Sequence, residues 1–105
     1  MCDSDVVRRL VEGFGRHNIP CAALENPEDA ATTTIQFEGA QESYCSLTAT
    51  VSFDKLTVHR VIGKGVIVQT FDLQDIDEHF FELIRDHYDT IRGLIKMYQR
   101  FLDEP

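Results

Sequence analysis

Apolar residues recur along this chain first at helical spacing, then in alternation, then at helical spacing again. In residues 4–17, Val6, Val7, Leu10, Val11 and Phe14 form one stripe, while Arg8, Arg9, Glu12 and Arg16 fall largely on other faces. Asp3 or Ser4 can cap the first turn, where a side-chain oxygen meets an orphan N–H. Asn18 suits the left-handed position that ends a helix, and Pro20 forbids continuation.

Five alternating segments follow. Residues 19–24 read as a short strand, placed at an edge or a strand start by Pro20. Residues 25–31 carry loop chemistry, 32–38 a Thr-rich strand, and 39–43 a polar loop. The clearest strand is 44–53, where Cys45, Leu47, Ala49, Val51 and Phe53 alternate with Tyr44, Ser46, Thr48, Thr50 and Ser52. Period two predicts one buried and one wet face, and with it an antiparallel sheet. A tight turn at Asp54-Lys55, leading to a return strand from Leu56 to Ile62, would set Phe53 opposite Leu56, Val51 opposite Val58, and Arg60 inward opposite Ala49. A turn at Gly63-Lys64-Gly65 leads to a last strand, Val66 to Phe71. The expected fold is α+β: an antiparallel meander of four or five strands, with an N-terminal helix and a long C-terminal amphipathic helix packed on one face.

That last helix is predicted over 75–103, with Asp75 and Glu78 as a capping box. Phe80, Ile84, His87, Ile91, Leu94, Tyr98 and Phe101 form its stripe, and Phe81, Tyr88, Ile95 and Leu102 widen it. Acids dominate its first half and bases its second, the order the helix dipole favours. Its span would be about 43 Å, against a domain only ~30–35 Å across. Either it breaks near Gly93 or another chain covers its end. The stripe keeps register across Gly93, which favours a continuous helix and a homodimer with Ile91, Leu94, Ile95, Tyr98, Phe101 and Leu102 at the interface.

Length bounds the rest: 105 residues make one domain with one core layer. The formal net charge of −8 argues against unassisted binding to nucleic acid or an anionic membrane, both of which need clustered Lys and Arg. No apolar run is long enough to span a bilayer, and Met1-Cys2-Asp3-Ser4-Asp5 does not resemble a signal peptide. Cys2, Cys21 and Cys45 are odd in number and unrelated in spacing, as expected of reduced thiols in a cytoplasmic protein.

Motif chemistry is sparse. Gly63-Lys64-Gly65 lacks the length and the Ser or Thr of a phosphate-binding loop. His79 and His87 lie about 80° apart around the helix and two turns apart in height, so they do not share a metal. His79 with Glu78 or Glu82 would make at most a surface site. His87, on the apolar stripe, reads as a core or interface histidine that can titrate near neutrality. The acids Asp72, Asp75, Asp77 and Glu78 gather where a capped helix begins. The hydroxyls Thr32, Thr34, Ser46, Thr48, Thr50, Ser52 and Thr57 suit a solvated sheet face. Arg60, on an inward position, needs a partner or an edge. No catalytic residue, metal site or cofactor is expected.

The segments Asn18-Ile19-Pro20, Ile35-Gln36-Phe37-Glu38-Gly39 and Val51-Ser52-Phe53-Asp54-Lys55-Leu56-Thr57-Val58, in the order helix, meander, helix, resemble the type III secretion chaperone-like superfamily, which includes the YbjN-type proteins. That resemblance covers residues 6–71 and implies a chaperone-like protein. The C-terminal third departs from the superfamily's pattern of a helix between strands, so no site residue is carried over. The function expected is a non-enzymatic protein-binding module (chaperone-like, adaptor or inhibitor) that receives a partner on a strand edge or sheet face. The alternative is a small-ligand binder with an apolar pocket between sheet and terminal helix, formed by Phe37, Phe53, Arg60, Phe80 and Tyr88. A small enzyme is a third possibility, and the missing motifs count against it.

Overall fold

The computed structural model describes residues 4–26 and 29–103. Cys2, the Asp3 cap and the Pro27-Glu28 part of the expected loop lie outside the described residues. The order is α1 (Ser4–Arg16), β1 (Cys21–Asn26), β2 (Asp29–Glu42), β3 (Cys45–Ser52), β4 (Lys55–Ile62), β5 (Gly65–Asp72), a 3-10 turn (Leu73–Asp75) and α2 (Glu78–Asp103). The five strands form one antiparallel meander in sequence order, with β1 and β5 at its edges. Both helices pack on one face, as the two periodicities require.

The end of α1 follows from Asn18. At φ 61° it turns the chain so that Ile19 N–H reaches Phe14 C=O (2.9 Å) and Asn18 N–H reaches Gly15 C=O (3.1 Å), closing the last helical carbonyls. The start of α2 differs from expectation. The cap is Asp77, whose Oδ1 accepts from Phe80 N–H (3.2 Å), and the helix begins at Glu78. Residues 73–75 wind instead into the 3-10 turn, and Leu73 N–H donates to Asp54 C=O (2.8 Å), tying it to the β3–β4 turn.

That β3–β4 turn is also displaced. Its central residues are Phe53 and Asp54, so Ser52 pairs with Lys55, Val51 with Leu56 and Leu47 with Arg60. The two-residue shift preserves parity, which keeps Leu56, Val58 and Arg60 on the helix side, but Arg60 lies opposite Leu47 rather than Ala49. Phe53 is put at φ 58° with 74% of its surface exposed. The polar segment 39–43 is mostly strand: β2 runs on to Glu42 across an irregularity between Gln36 and Gln41, where Gly39 takes φ 76°.

The core lies between the helices and β1–β4. Phe14 sits at its centre, 5.0 Å from the Phe37 ring, 5.3 Å from Phe81 and 6.0 Å from Phe80, with no exposed surface. One aromatic cluster thereby ties α1, β2 and α2 together. Gly13 allows it: a Cβ there would lie 2.4 Å from the Phe81 ring. α2 is unbroken through Gly93 and spans about 39 Å, which accounts for a molecule 50 Å long but only 31 Å by 21 Å in its other dimensions. No described helix is long and apolar enough to cross a membrane.

Candidate functional site

On α2 the inward stripe Phe80, Ile84, Tyr88, Ile91 and Ile95 is buried against the chain's own sheet. Ile91 and Ile95, expected at an interface, are therefore core residues. Their burial is explained by register: the Cys45 thiol lies 3.8 Å from Ile91 C=O, so the helix rests directly on β3 at this point. Tyr98, Phe101 and Leu102, near the end of the helix, are more open, although the Tyr98 ring meets the chain's own Tyr44 at 4.3 Å. All three are exposed, Phe101 at 77%, along with Met97.

The residues expected to line a pocket divide in the same way. Phe37, Phe80 and Tyr88 are brought together, buried between sheet and helix. Phe37 is 6.4 Å from Tyr88, and Phe80 is 5.1 Å from Phe71. The Tyr88 hydroxyl donates to Glu38 C=O at 2.6 Å, and one helical turn on Arg92 Nη1 donates to Gly39 C=O at 2.8 Å. Phe53 stands on the turn, away from that space. A hollow of 280 Å³ does occur, but beside β1, lined by Cys21, Ala22, Gln36, Phe37, Glu38 and Gln41.

The flank of α2 that faces β4 and β5 holds the less expected feature. Leu83, His87, Leu94, Tyr98 and Phe101 follow one another at spacings of four, seven, four and three, which keeps them on one side of the helix. His87 contacts β4, where Arg60 Nη1 donates to its Nδ1 at 2.8 Å. Guanidinium groups only donate, so the imidazole is neutral with its proton on Nε2. Nε2 is buried without a hydrogen-bond partner. Burial, then the Arg60 charge, lower the His87 pKa, and Asp86 opposes them weakly. No carboxylate pairs with Arg60 among the described residues. Beside it on β5 is Ile67, and beyond it at the end of β4 is Ile62; both are exposed. Next to Ile62, Gly63 N–H donates to Tyr44 C=O (2.6 Å), and the Tyr44 ring meets Tyr98 at 4.3 Å. This side of the molecule thus carries exposed apolar residues on the helix (Leu83, Tyr98, Phe101) and on the strands (Ile62, Ile67), with the half-buried Leu94 on the same flank and Arg60 beside Ile67.

This surface stays open because α2 lies over β2 and β3 and meets β5 at Phe71, where Phe80 packs on it. The strand has no buried residue, and only Phe71 and Asp72 near its end are half-buried. Its other face is apolar too, with Val66 at 61% and Val68 at 54% exposed beside Val61 and His59. The rest of that outer face carries the expected hydroxyls, among them Thr34, Thr48, Thr50 and Thr57, all half-buried.

Elsewhere the chemistry is muted. Burial pushes the Cys21 thiol up to about 11 and raises Cys45, which disfavours the thiolate a nucleophile needs. His79 is 3.8 Å from Glu82 in the open, and no three His, Cys, Asp or Glu side chains gather as a metal site among the described residues. The β5 surface escaped sequence reading because an alternating strand looks the same whether or not a helix covers it. A signal was present nonetheless: Val66, Ile67 and Val68 are consecutive apolar residues, which one-sided burial does not explain. Comparison with family models, curated proteins and solved structures gives no match for this chain.

Proposed function

We propose that this chain is a non-enzymatic protein-binding module that works as a homodimer, in the manner of a chaperone-like, adaptor or inhibitor protein. Its docking surface is the open flank of α2 together with the helix side of β4 and β5. One observation supports this above the others: the apolar surface from Leu83 through Ile67 and Ile62 to Tyr98 and Phe101 is left uncovered by the chain's own helices. Several exposed apolar residues on one side of a small domain suit an interaction site. Arg60, unpaired by any carboxylate among the described residues, suits a partner segment that is apolar and carries an acidic side chain.

The test is a titration of the 15N-labelled protein with amphipathic apolar peptides, each made with one Glu and again with Gln in its place. Amide shifts should concentrate at Arg60, Ile62, Ile67, Leu83, Leu94 and Tyr98, with the Glu form the tighter. They should vanish in a folded Leu94→Asp/Tyr98→Asp variant. If no peptide moves these residues, or the variant binds equally well, the proposal fails.

A further inference from the structure

The two edges of the sheet are built differently. β1 is six residues long, is preceded by Pro20, carries Glu25 and changes register between Glu25 and Asn26. Prolines, charges and bulges of this kind are how natural sheets prevent their edges from pairing with other chains. β5 has none of them before its last residue, Asp72. Its eight residues pair with β4 without a register shift, and residues 65–71 include no charge and no proline.

The hydrogen bonds of β5 can be followed residue by residue. Leu73 N–H turns toward β4 to meet Asp54 C=O. Alternation in an antiparallel ladder then turns the odd-numbered residues of β5 toward β4 and leaves the N–H and C=O of Val66, Val68, Thr70 and Asp72 aimed at the open edge.

We infer that this edge pairs with the β5 edge of a second copy, antiparallel about a two-fold axis at Val68, joining the two sheets into one. In this register Val66 faces Thr70 of the other copy and Val68 faces its own counterpart, so the outward N–H and C=O groups meet in hydrogen-bonded pairs. On the helix side Ile67 faces Gln69. The charges select the register. The only charged residues bounding the bare stretch are Lys64 in the turn before it and Asp72 at its end. Pairing centred on Val68 sets Lys64 of each copy opposite Asp72 of the other. Asp72 Oδ1 already meets Lys55, and its second oxygen remains for Lys64. A shift by two residues would leave these charges facing uncharged positions. A two-fold axis at this point also leaves the α2 flank of each copy open. The inference therefore names the dimer seam of the module proposed above without occupying its docking surface.

The experiment is the molar mass in solution, by light scattering, of the unaltered protein, of Val68→Lys, of Val68→Glu and of an equimolar mixture of the two variants. Val68 is exposed on the outer face, and circular dichroism checks that each variant folds. The unaltered protein should be a dimer. Each variant should be a monomer, because the axis places two like charges face to face. The mixture should return to dimer, because only a Val68-centred register sets the introduced lysine of one copy against the introduced glutamate of the other. Lys64→Glu should weaken the dimer by roughly tenfold or more through its two new like-charge pairs. Isotope-filtered contacts between Val66 of one copy and Thr70 of the other give the register without any substitution. A monomeric unaltered protein overturns the inference, and the peptide titration then decides the docking proposal separately. Variants that remain dimers place the seam elsewhere and overturn it too. A mixture that stays monomeric, or contacts in another register, overturns the Val68 pairing.

Discussion

Replacing Phe14 with Ala should remove the residue on which the packing of α1, β2 and α2 converges. The side chain is fully buried, with ring contacts to Phe37, Phe81 and Phe80, the first two close to perpendicular at 83° and 82°. Truncating a buried Phe costs about 3–5 kcal/mol. The upper half of that range applies here, because edge-to-face ring pairs contribute ~0.5–1.5 kcal/mol beyond buried area. A domain of this size is stable by about 5–15 kcal/mol in all, so the variant should be folded only marginally. With an unfolding entropy of ~0.2 kcal/mol per kelvin, a loss of about 4 kcal/mol lowers Tm by roughly 15–20 °C. Urea unfolding followed by circular dichroism measures this at one fixed protein concentration, since association adds to apparent stability. The midpoint should fall sharply while the m-value stays constant. A loss below about 1.5 kcal/mol, half the low end for a buried Phe, would refute the central role given to this ring cluster.

Phe53 should respond in the opposite sense. It is exposed and holds φ 58°, a conformation that costs an L-residue about 1–2 kcal/mol and glycine almost nothing. Phe53→Gly should raise stability by ~0.5–1 kcal/mol after the entropy of glycine is subtracted; a clear loss in urea unfolding would mean that the ring packs after all. His87 gives a dependence on pH. Its folded pKa lies below the ordinary 6.5, first through burial and then through Arg60, so the folded state binds fewer protons than the unfolded one. The stability this gives is complete above pH 6.5 and is lost as pH falls toward the folded value. Unfolding curves across that window should show the decline in the native protein and a flatter profile in His87→Gln. Equal slopes would assign the acid sensitivity to other groups.

Much of the fold was legible from periodicity, since a helix and a half-buried strand require different spacings. The alternation from Cys45 to Ser52, the stripe from Phe80 to Ile95 and the Asn18 turn all appear where local chemistry put them. Parity also placed Arg60 on the helix side, although the turn moved by one residue and the pairing with it by two. Local rules were weaker where several caps or turns were possible. Asp77 won over Asp75 as the cap of α2, because Leu73 is tied to Asp54 and residues 73–75 wind into a 3-10 turn.

Spacing within one stretch of chain was enough to say which residues are apolar on which element. Which of those faces are covered followed from the packing of whole elements. Ile91 and Tyr98 belong to the same predicted stripe. One is buried on β3 and the other lies at the end of the helix, where it meets only the Tyr44 ring beside the β2–β3 turn and stays 45% exposed. Val58 and Ile67 likewise occupy the helix side of neighbouring strands. One is covered and the other bare, because the helix lies over β2 and β3 and meets β5 at Phe71, near the strand's far end. Coverage depends on where whole elements lie across one another, and no spacing within a strand or helix encodes it.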